Sequence, residues 1–443
     1  MADALDLLAL DRDIAKAVRR VEKATKDLAT EEGRTLQKQG DPFGELRHVS
    51  TQSTFRALSD TKRAAHEELH RVALVRWVHE LLQIRVGWDL RVAEAEAEHA
   101  VDPTLARRPK EKEGETLLES WSEARTALLH ATGTEPTKLA LERLIALAPP
   151  IAAIRKERRE RRLEVARRLD LDHPWKLATT KPTTDLARAL LDATEPLAKA
   201  LERDREKRGV HFIRDAFAPD AREGWPAKLG ARFYEESFGA LVVRPFAAPP
   251  LPAALGGASF LRGAAAWGFQ LRLAGTAKSL PFALARDPYP DDAYRFGCAL
   301  ALALASRPFA RRVLNLTARA ADAHARALGR ARFLTLRLDL LRILAGVLEW
   351  EELGARVFGT PLPPELRDAW PTIRDDEPAR FAGMMGAELL ATELEQRFDE
   401  DWFKNPRTGV ALAAIASGPV WRGEVIDVEF ASGIARMWEE AIG

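Results

Sequence analysis

SFLRGAAAWGFQLRLA, residues 259–274, is an apolar stretch of helix length around which the rest of the chain is interpreted. Before it, FGALVVRPF (238–246) has the composition of a strand and leads into a loop rich in Pro and Gly, 247–257. After it, Asp292 precedes an apolar run, 297–306, which is about half as long as a membrane span requires. The order predicted is strand, loop, helix, and then a second helix that carries an acid.

The overall composition predicts a mainly α, globular protein. The 443 residues are 46% hydrophobic and 30% charged, with only 3 Tyr, few β-branched residues and many Ala, Leu and Arg. The net charge of +1 gives no global field that would attract nucleic acid or a membrane. A single cysteine, Cys298, excludes an internal disulfide, and residues 1–13 show no signal peptide, so we expect a cytoplasmic protein.

Two lobes are expected, each mainly helical. Residues 172–184 interrupt the helical pattern with Pro and Thr, and the next helix is predicted to end near Gly209. We therefore predict an N-terminal helical lobe, 1–205, and a C-terminal lobe, 206–443. Later helices are expected at about 291–305 and 377–399, among others, with at most a small β-sheet.

Three segments of the second half are similar to one family. They are LVVRPF (241–246) with SFLRGAAAWGFQLRLAGT (259–276), RDPYPDDAYRFGCALALAL (286–304), and FDEDWFKNPRTG (398–409). Together they resemble the thimet-oligopeptidase and oligoendopeptidase type of zinc metallopeptidase, a gluzincin family, and the third looks like a segment of its bacterial members. The resemblance implies a two-lobed, mainly α peptidase-like fold with a cleft.

The zinc motif of that family has decayed in this chain. The family reads H-E-x-x-H on its first helix because residues i and i+4 place two imidazoles on one face beside the glutamate base. These positions, with the Gly of H-E-x-G-H, fall on Ala265, Ala266, Trp267, Gly268 and Phe269, and the distal glutamate falls on Asp292. Ala265 and Phe269 have no lone pair for a metal, and Ala266 accepts no proton.

The Tyr and His donors that stabilise the oxyanion in the family are also missing from the C-terminal part. Tyr occurs only at 234, 289 and 294, and the last histidine is His324. The resemblance therefore implies a metal-free pseudopeptidase that acts by binding a peptide or a protein partner. Trp267 and Phe269 are candidates for an aromatic peptide-binding floor, but filling the space of the lost metal site explains them more simply.

A literal zinc motif elsewhere in the chain gives a second hypothesis. His66-Glu67-Glu68-Leu69-His70 matches H-E-x-x-H within a predicted helix, with Glu67 as the base. If the helix turns back near Gly87, a third zinc ligand is available from Glu94, Glu96 or Glu98. This alternative is an active zinc metallopeptidase. A further alternative is an all-helical scaffold unrelated to peptidases.

Residues 151–169, IAAIRKERRERRLEVARRL, form the most basic stretch. Interleaved glutamates, including the i,i+4 pairs Glu157–Arg161 and Glu164–Arg168, predict a solvated helix face and not a nucleic-acid contact.

Other candidate groups have structural explanations. Cys298 is predicted as a buried structural thiol, and His79 and His99 as surface or boundary residues. Asp291-Asp292 is predicted to cap a helix, and Trp402-Phe403 to pack a C-terminal helix.

Overall fold

The protein is described by a computed structural model. It covers residues 6–60, 65–102, 119–130, 134–178, 183–206, 225–246, 249, 254–255, 257–359, 361–369, 376–420 and 428–442. Helices make up most of this part of the chain, and one two-residue strand pair is present. The mainly α prediction is therefore confirmed.

In the described ranges of the first half, every regular element is a helix. They are α1 (Leu7–Asp27), α2 (Glu31–Gln39), α3 (Gln52–Asp60), α4 (Ala65–Val86), α5 (Trp88–His99), α6 (Trp121–His130), α7 (Thr134–Arg168) and α8 (Thr183–Glu206). A 3-10 helix, Gly44–Ser50, lies between α2 and α3. Asp6 begins α1 by accepting hydrogen bonds from the backbone N–H groups of Leu8 and Ala9.

The second half adds one small sheet. Strands β1 (Trp225–Pro226) and β2 (Ala254–Leu255) pair antiparallel. The helices are α9 (Ala227–Phe238), α10 (Gly257–Ala274), α11 (Phe282–Ala285), α12 (Asp291–Ala305), α13 (Arg307–Arg312), α14 (Ala318–Leu344), α15 (Trp350–Phe358), α16 (Glu377–Phe398), α17 (Pro406–Ser417) and α18 (Phe430–Ile442). Short 3-10 helices are Gly239–Leu241, Pro364–Leu366 and Trp402–Lys404.

The strand predicted over 238–246 was wrong. Helix α9 runs to Phe238, and the chain then turns without pairing to another strand. The N–H groups of Val243 and Arg244 both donate to the carbonyl of Ala274 at the end of α10, at 2.9 and 2.8 Å. The Arg244 side chain donates to three further carbonyls beyond α10, those of Thr276, Ala277 and Leu280. This segment therefore satisfies the carbonyls at the C-terminal end of α10 instead of joining a sheet.

The hydrophobic core crosses the predicted lobe boundary at 205/206. Its largest cluster joins residues of α6, α7 and α8, such as Leu190, to residues of α14, α15 and α18, such as Leu341 and Trp438. A second cluster joins α1 and α4 to Leu284 of α11. Burial of shared apolar surface thus ties the two halves of the chain together.

None of the helices in the described ranges combines the length and the apolar character that crossing a membrane demands.

Candidate functional site

Helices α10 and α12 cross in close backbone contact at two glycines. A β-carbon on Gly268 would lie 2.7 Å from the Cα of Gly297. A β-carbon on Gly297 would lie 2.3 Å from the carbonyl oxygen of Ala265 and 2.6 Å from the nitrogen of Phe269. Only glycine permits this approach. The two glycines therefore set the packing of the helix that carries positions 265–269 against the helix that begins at Asp291.

Asp292, the residue expected at the distal-glutamate position, is a counter-ion for two arginines. Arg272 Nε donates to Asp292 Oδ2 at 2.8 Å, and Arg295 Nη2 donates to Asp292 Oδ1 at 3.0 Å. The rest of the buried Arg272 guanidinium donates to the carbonyls of Ala416, Gly418 and Pro419. The cap predicted at Asp292 was wrong, because this side chain turns to the arginines, whereas Asp291 Oδ1 accepts from the N–H of Asp292 at 2.9 Å.

The two aromatic candidates have different environments. Trp267 is only 9% exposed and stacks on Tyr234 with ring centroids 6.4 Å apart and planes 3° from parallel, while Phe246 packs on it at 5.0 Å. Phe269 lies against Tyr294 at 4.8 Å and stays partly exposed. Burial favours a packing role for Trp267, so Phe269 is the more accessible of the two.

One face of α10 is accessible along its length. Arg262 is exposed, and Ala265, Ala266 and Phe269 are partly exposed, whereas Leu271 on the opposite side is buried. The spacing of these residues follows successive helical turns. The accessible face therefore carries a guanidinium, two small residues and an aromatic ring.

A buried ion-pair cluster of α14 and α16 lies beside Arg262. Arg380 Nη2 donates to Asp339 and Glu377, whose carboxylates are fully buried, and Arg342 lies 3.1 Å from Asp339. Arg380 and Arg342 repel the solvent-exposed Arg262 guanidinium, whereas Asp339 and Glu377 attract it. Burial raises the pKa of Glu377, which Asp339 reinforces. Both positively and negatively charged side chains of α14 and α16 therefore lie near the accessible face of α10.

His70, from the literal H-E-x-x-H, is hydrogen-bonded to an acid. Its Nε2 lies 3.1 Å from Oδ1 of buried Asp11. Asp11 also accepts from the N–H groups of Phe282 and Ala283 at 2.8 Å each, so it caps α11. The side chain of His66 lies outside the described residues. The observed role of His70 is to hold α4 against α1.

The proposed third ligands are all engaged in ion pairs. Gly87 does separate α4 from α5, yet the glutamates of α5 pair with cations. Glu94 accepts from Arg155 and Arg158, Glu98 from Arg155, and Glu96 pairs with Lys38. Within the described ranges, no cluster of three or more His, Cys, Asp and Glu is placed to hold a metal.

Helix α7 turns one face of arginines inward, so the solvated-face prediction was wrong for that face. Arg155 and Arg162 are buried and Arg158 and Arg159 are partly exposed, which is the spacing of one side of a helix. Arg159 pairs with Asp368. The predicted surface pairs on the other side are confirmed, with Arg161 at 2.6 Å from Glu157 and Arg168 at 2.9 Å from Glu164.

His79 is fully buried, so its assignment to the surface or boundary was wrong. Its Nδ1 lies 2.7 Å from the hydroxyl of Tyr289, and that hydroxyl donates to Glu80 Oε2 at 3.1 Å. Gln83 Nε2 lies 3.3 Å from His79 Nε2. Because Tyr289 donates to Glu80, His79 donates from Nδ1 and accepts at Nε2. The apolar run around His79 was the only sequence signal for this burial.

Three further predictions concern residues to which a structural role was assigned. His99 is exposed, as predicted. Cys298 is partly buried, and burial raises its pKa to about 12, which leaves almost no thiolate at neutral pH. Trp402 and Phe403 are buried, and Trp402 packs on Phe238.

No protein-family model matches the chain, and none of the curated proteins matches it. The function is therefore inferred from the residues of this chain.

Proposed function

We propose that this protein is a catalytically inactive metallopeptidase-like protein, a pseudopeptidase, that binds a peptide or a protein partner. The observation that carries the proposal is the pairing of Asp292 with Arg272 and Arg295 at the position of the distal zinc ligand. A carboxylate shared by two arginines is neutralised already and has little affinity left for a metal. Ala265 and Phe269, at the two imidazole positions, supply no other ligand.

The accessible face of α10 supports binding as the remaining activity. Arg262, Ala266 and Phe269 present a cation, a small residue and a ring along one side of a helix whose other sides are packed. Aromatic and arginine side chains contribute much of the energy at protein interfaces. In the two-lobed arrangement that we propose, a peptide lies in the cleft along this face.

The zinc alternative is less well supported. His70 Nε2 donates to the Asp11 carboxylate at 3.1 Å, and the three glutamates proposed as third ligands are paired with basic residues of α7 and α2. A zinc ion at His70 would need those ion pairs to break, each at a cost in stability.

Metal analysis separates the two hypotheses. The protein is purified without chelator or histidine tag, and its zinc content is measured by mass spectrometry beside the His70→Ala variant. We expect far less than one zinc per chain in both samples. Near-stoichiometric zinc in the wild type that is lost in the variant would contradict the proposal and establish a metalloenzyme.

A binding measurement tests the second part of the proposal, that the protein binds a peptide. A fluorescein-labelled mixture of randomised hexapeptides serves as the probe in fluorescence anisotropy. We expect the Phe269→Ala variant to bind several-fold more weakly than the wild type, whereas Phe430→Ala, which truncates a 43% exposed phenylalanine on α18, leaves binding unchanged. Equal affinities for both variants would place binding elsewhere and favour the unrelated helical scaffold.

A further inference from the structure

The fully exposed side of α1 carries positive charge only. Leu8 apart, every fully exposed residue of α1 is an arginine or a lysine, namely Arg12, Lys16, Arg19, Arg20, Lys23 and Lys26. They recur at intervals of three and four residues and so occupy about a third of the helix circumference, in a row about 21 Å long. We call these six residues the basic stripe.

Most of the basic stripe is not neutralised by acids in the described part of the chain. Lys16 pairs with Asp13 at 3.2 Å and Arg20 pairs with Glu45 at 2.6 Å, and both pairs are accessible to solvent. Such pairs are weak, because water screens them. The other four cations form no ion pair with any residue of the described ranges: Arg12, Arg19, Lys23 and Lys26. The stripe is therefore an exposed excess of positive charge.

The exposed side of α7 shows how another helix of this protein neutralises its charges. Glu157, Glu160 and Glu164 lie exposed among its basic residues, and two of them form i,i+4 pairs with arginine. On α1, by contrast, like charges follow one another at i,i+4, which destabilises a helix. The pairs concerned are Arg12 with Lys16, Lys16 with Arg20, and Arg19 with Lys23. An acidic partner would relieve these repulsions.

Acidic residues bound the stripe at its edges and ends, which limits the width of a partner. Asp13 and Glu22 are partly exposed and lie at its two edges. Exposed Asp6 precedes it, and exposed Glu31 and Glu32 follow it. A membrane surface or a nucleic-acid duplex is wider than one helix and would meet these acids as well.

The composition of α1 also argues against a bilayer or a nucleic acid as the partner. Its large apolar residues, Leu8 apart, are packed in the core and are not available to enter a bilayer. The helix has no aromatic ring on which a base could stack. A narrow acidic segment of a protein fits the stripe better.

We propose that the basic stripe of α1 is a docking surface for an acidic helical segment of a protein partner. Acids spaced three and four residues apart on a helix lie on one face, so a partner helix alongside α1 places carboxylates opposite the cations of successive turns. Charge complementarity of this kind speeds association and selects the partner. The stripe contains no residue of α10, so this inference does not depend on the peptide binding proposed there.

The probe for the test is an alanine-rich helical peptide with glutamates at i, i+4, i+7 and i+11, an N-terminal fluorescein label and an amidated C-terminus. We expect it to bind in fluorescence anisotropy, with an affinity that falls as salt is raised. The same peptide with glutamine in place of glutamate should bind at least tenfold more weakly. A duplex oligonucleotide and phosphatidylserine vesicles, tested beside it, should also bind more weakly than the glutamate peptide.

Two double variants with the same change in charge give the decisive comparison. Arg12→Gln with Lys23→Gln removes two unpaired cations of the basic stripe and should weaken binding of the glutamate peptide at least fivefold. Lys156→Gln with Arg167→Gln removes two exposed cations of α7 and should leave binding unchanged. All four residues are exposed, so both double variants should keep the melting temperature of the wild type within a few degrees.

Four results would overturn the inference. No binding of the glutamate peptide, or equal binding by the two double variants, would show that the stripe is not a docking surface for an acidic segment. Tighter binding of the duplex or the vesicles, lost on Arg12→Gln with Lys23→Gln, would assign the stripe to that polyanion. Glutamate-peptide binding that is lost in Phe269→Ala and kept in the stripe variant would place the acidic segment on α10, and would leave the proposed function standing.

Discussion

Arg272 and Asp292 form a buried ion pair in which Nε lies 2.8 Å from Oδ2 and neither side chain is more than 8% exposed. The pair joins the C-terminal end of α10 to the start of α12, and three carbonyls at the end of α17 and after it saturate the same guanidinium. A buried charge is stable only while it is paired, because water cannot solvate it when the opposite charge is removed.

Removal of one member of this pair is expected to destabilise the protein strongly. Arg272→Met leaves Asp292 buried with Arg295 alone, and we expect a loss of about 3–5 kcal/mol in the free energy of unfolding, measured by urea denaturation. Arg232→Gln breaks an exposed pair with Glu236, at 78% and 63% side-chain exposure, and should leave the free energy of unfolding almost unchanged. Similar losses in the two variants would show that the Arg272–Asp292 ion pair stabilises the fold no more than an exposed pair does.

The glycine crossing gives a second prediction. Gly297→Ala places a β-carbon 2.3 Å from the carbonyl oxygen of Ala265, which has to move, so we expect a loss of about 1–3 kcal/mol. Gly433→Ala in α18 meets no atom within 4 Å and should stabilise by about 0.5–1 kcal/mol through helix propensity. Thermal and urea unfolding of both variants measure the contrast. A neutral Gly297→Ala would mean that α10 and α12 are farther apart than described.

Asp11 gives a matched pair of substitutions within one helix. Asp11→Ala removes the cap of α11 and the partner of His70, so that buried N–H groups lose their acceptor, and we expect a loss of about 2–4 kcal/mol. Asp13→Ala, two residues further along α1, removes an acid that is 30% exposed and should cost less than about 1 kcal/mol. Chemical denaturation of the two variants should therefore separate them clearly, and a larger effect at Asp13 would contradict the capping role of Asp11.

The buried His79 predicts a dependence of stability on pH. Burial, with repulsion by Arg162 and Arg76, lowers its pKa from 6.5 to about 3. Between these values the unfolded chain binds a proton that the folded protein does not, so the stability contributed by neutral His79 is fully present above pH 6.5 and is lost as the pH falls towards 3. One group contributes at most about 1.4 kcal/mol per pH unit in this window. Urea unfolding at pH 7, 6 and 5 should show a smaller slope for His79→Gln than for the wild type; equal slopes would assign the dependence to other groups.

Helix positions were predictable where the pattern is local. The helix expected at about 291–305 is observed as Asp291–Ala305, and the one expected at 377–399 as Glu377–Phe398, because apolar spacing and Pro-containing turns mark both ends. The absence of lone-pair donors at Ala265 and Phe269 is likewise a property of the residues themselves. The partners of Asp292 were not predictable, since Arg272 and Arg295 are identified only by the way two helices pack.

The failures have a common physical cause. Residues 238–246 have a strand composition, but a strand needs a neighbour, and this segment meets the end of α10 instead. The charge of the arginines of α7 led to the prediction of a solvent-exposed face. Their side chains instead point towards the acids of α5, with which they pair. Burial of His79 depends on Tyr289, 210 positions away in sequence. In each case a distant part of the chain decides the outcome.

Helix α8 contributes Leu186, Leu190 and Leu191 to a core whose other side comes from α14 and α18. We expect a fragment ending at Glu206, or one beginning after it, to expose its part of that core to water and not to fold alone. Supplied together, the two fragments should recombine, because each provides the apolar surface that the other lacks. We therefore expect the chain to unfold as one cooperative unit and neither half to be suitable for expression on its own.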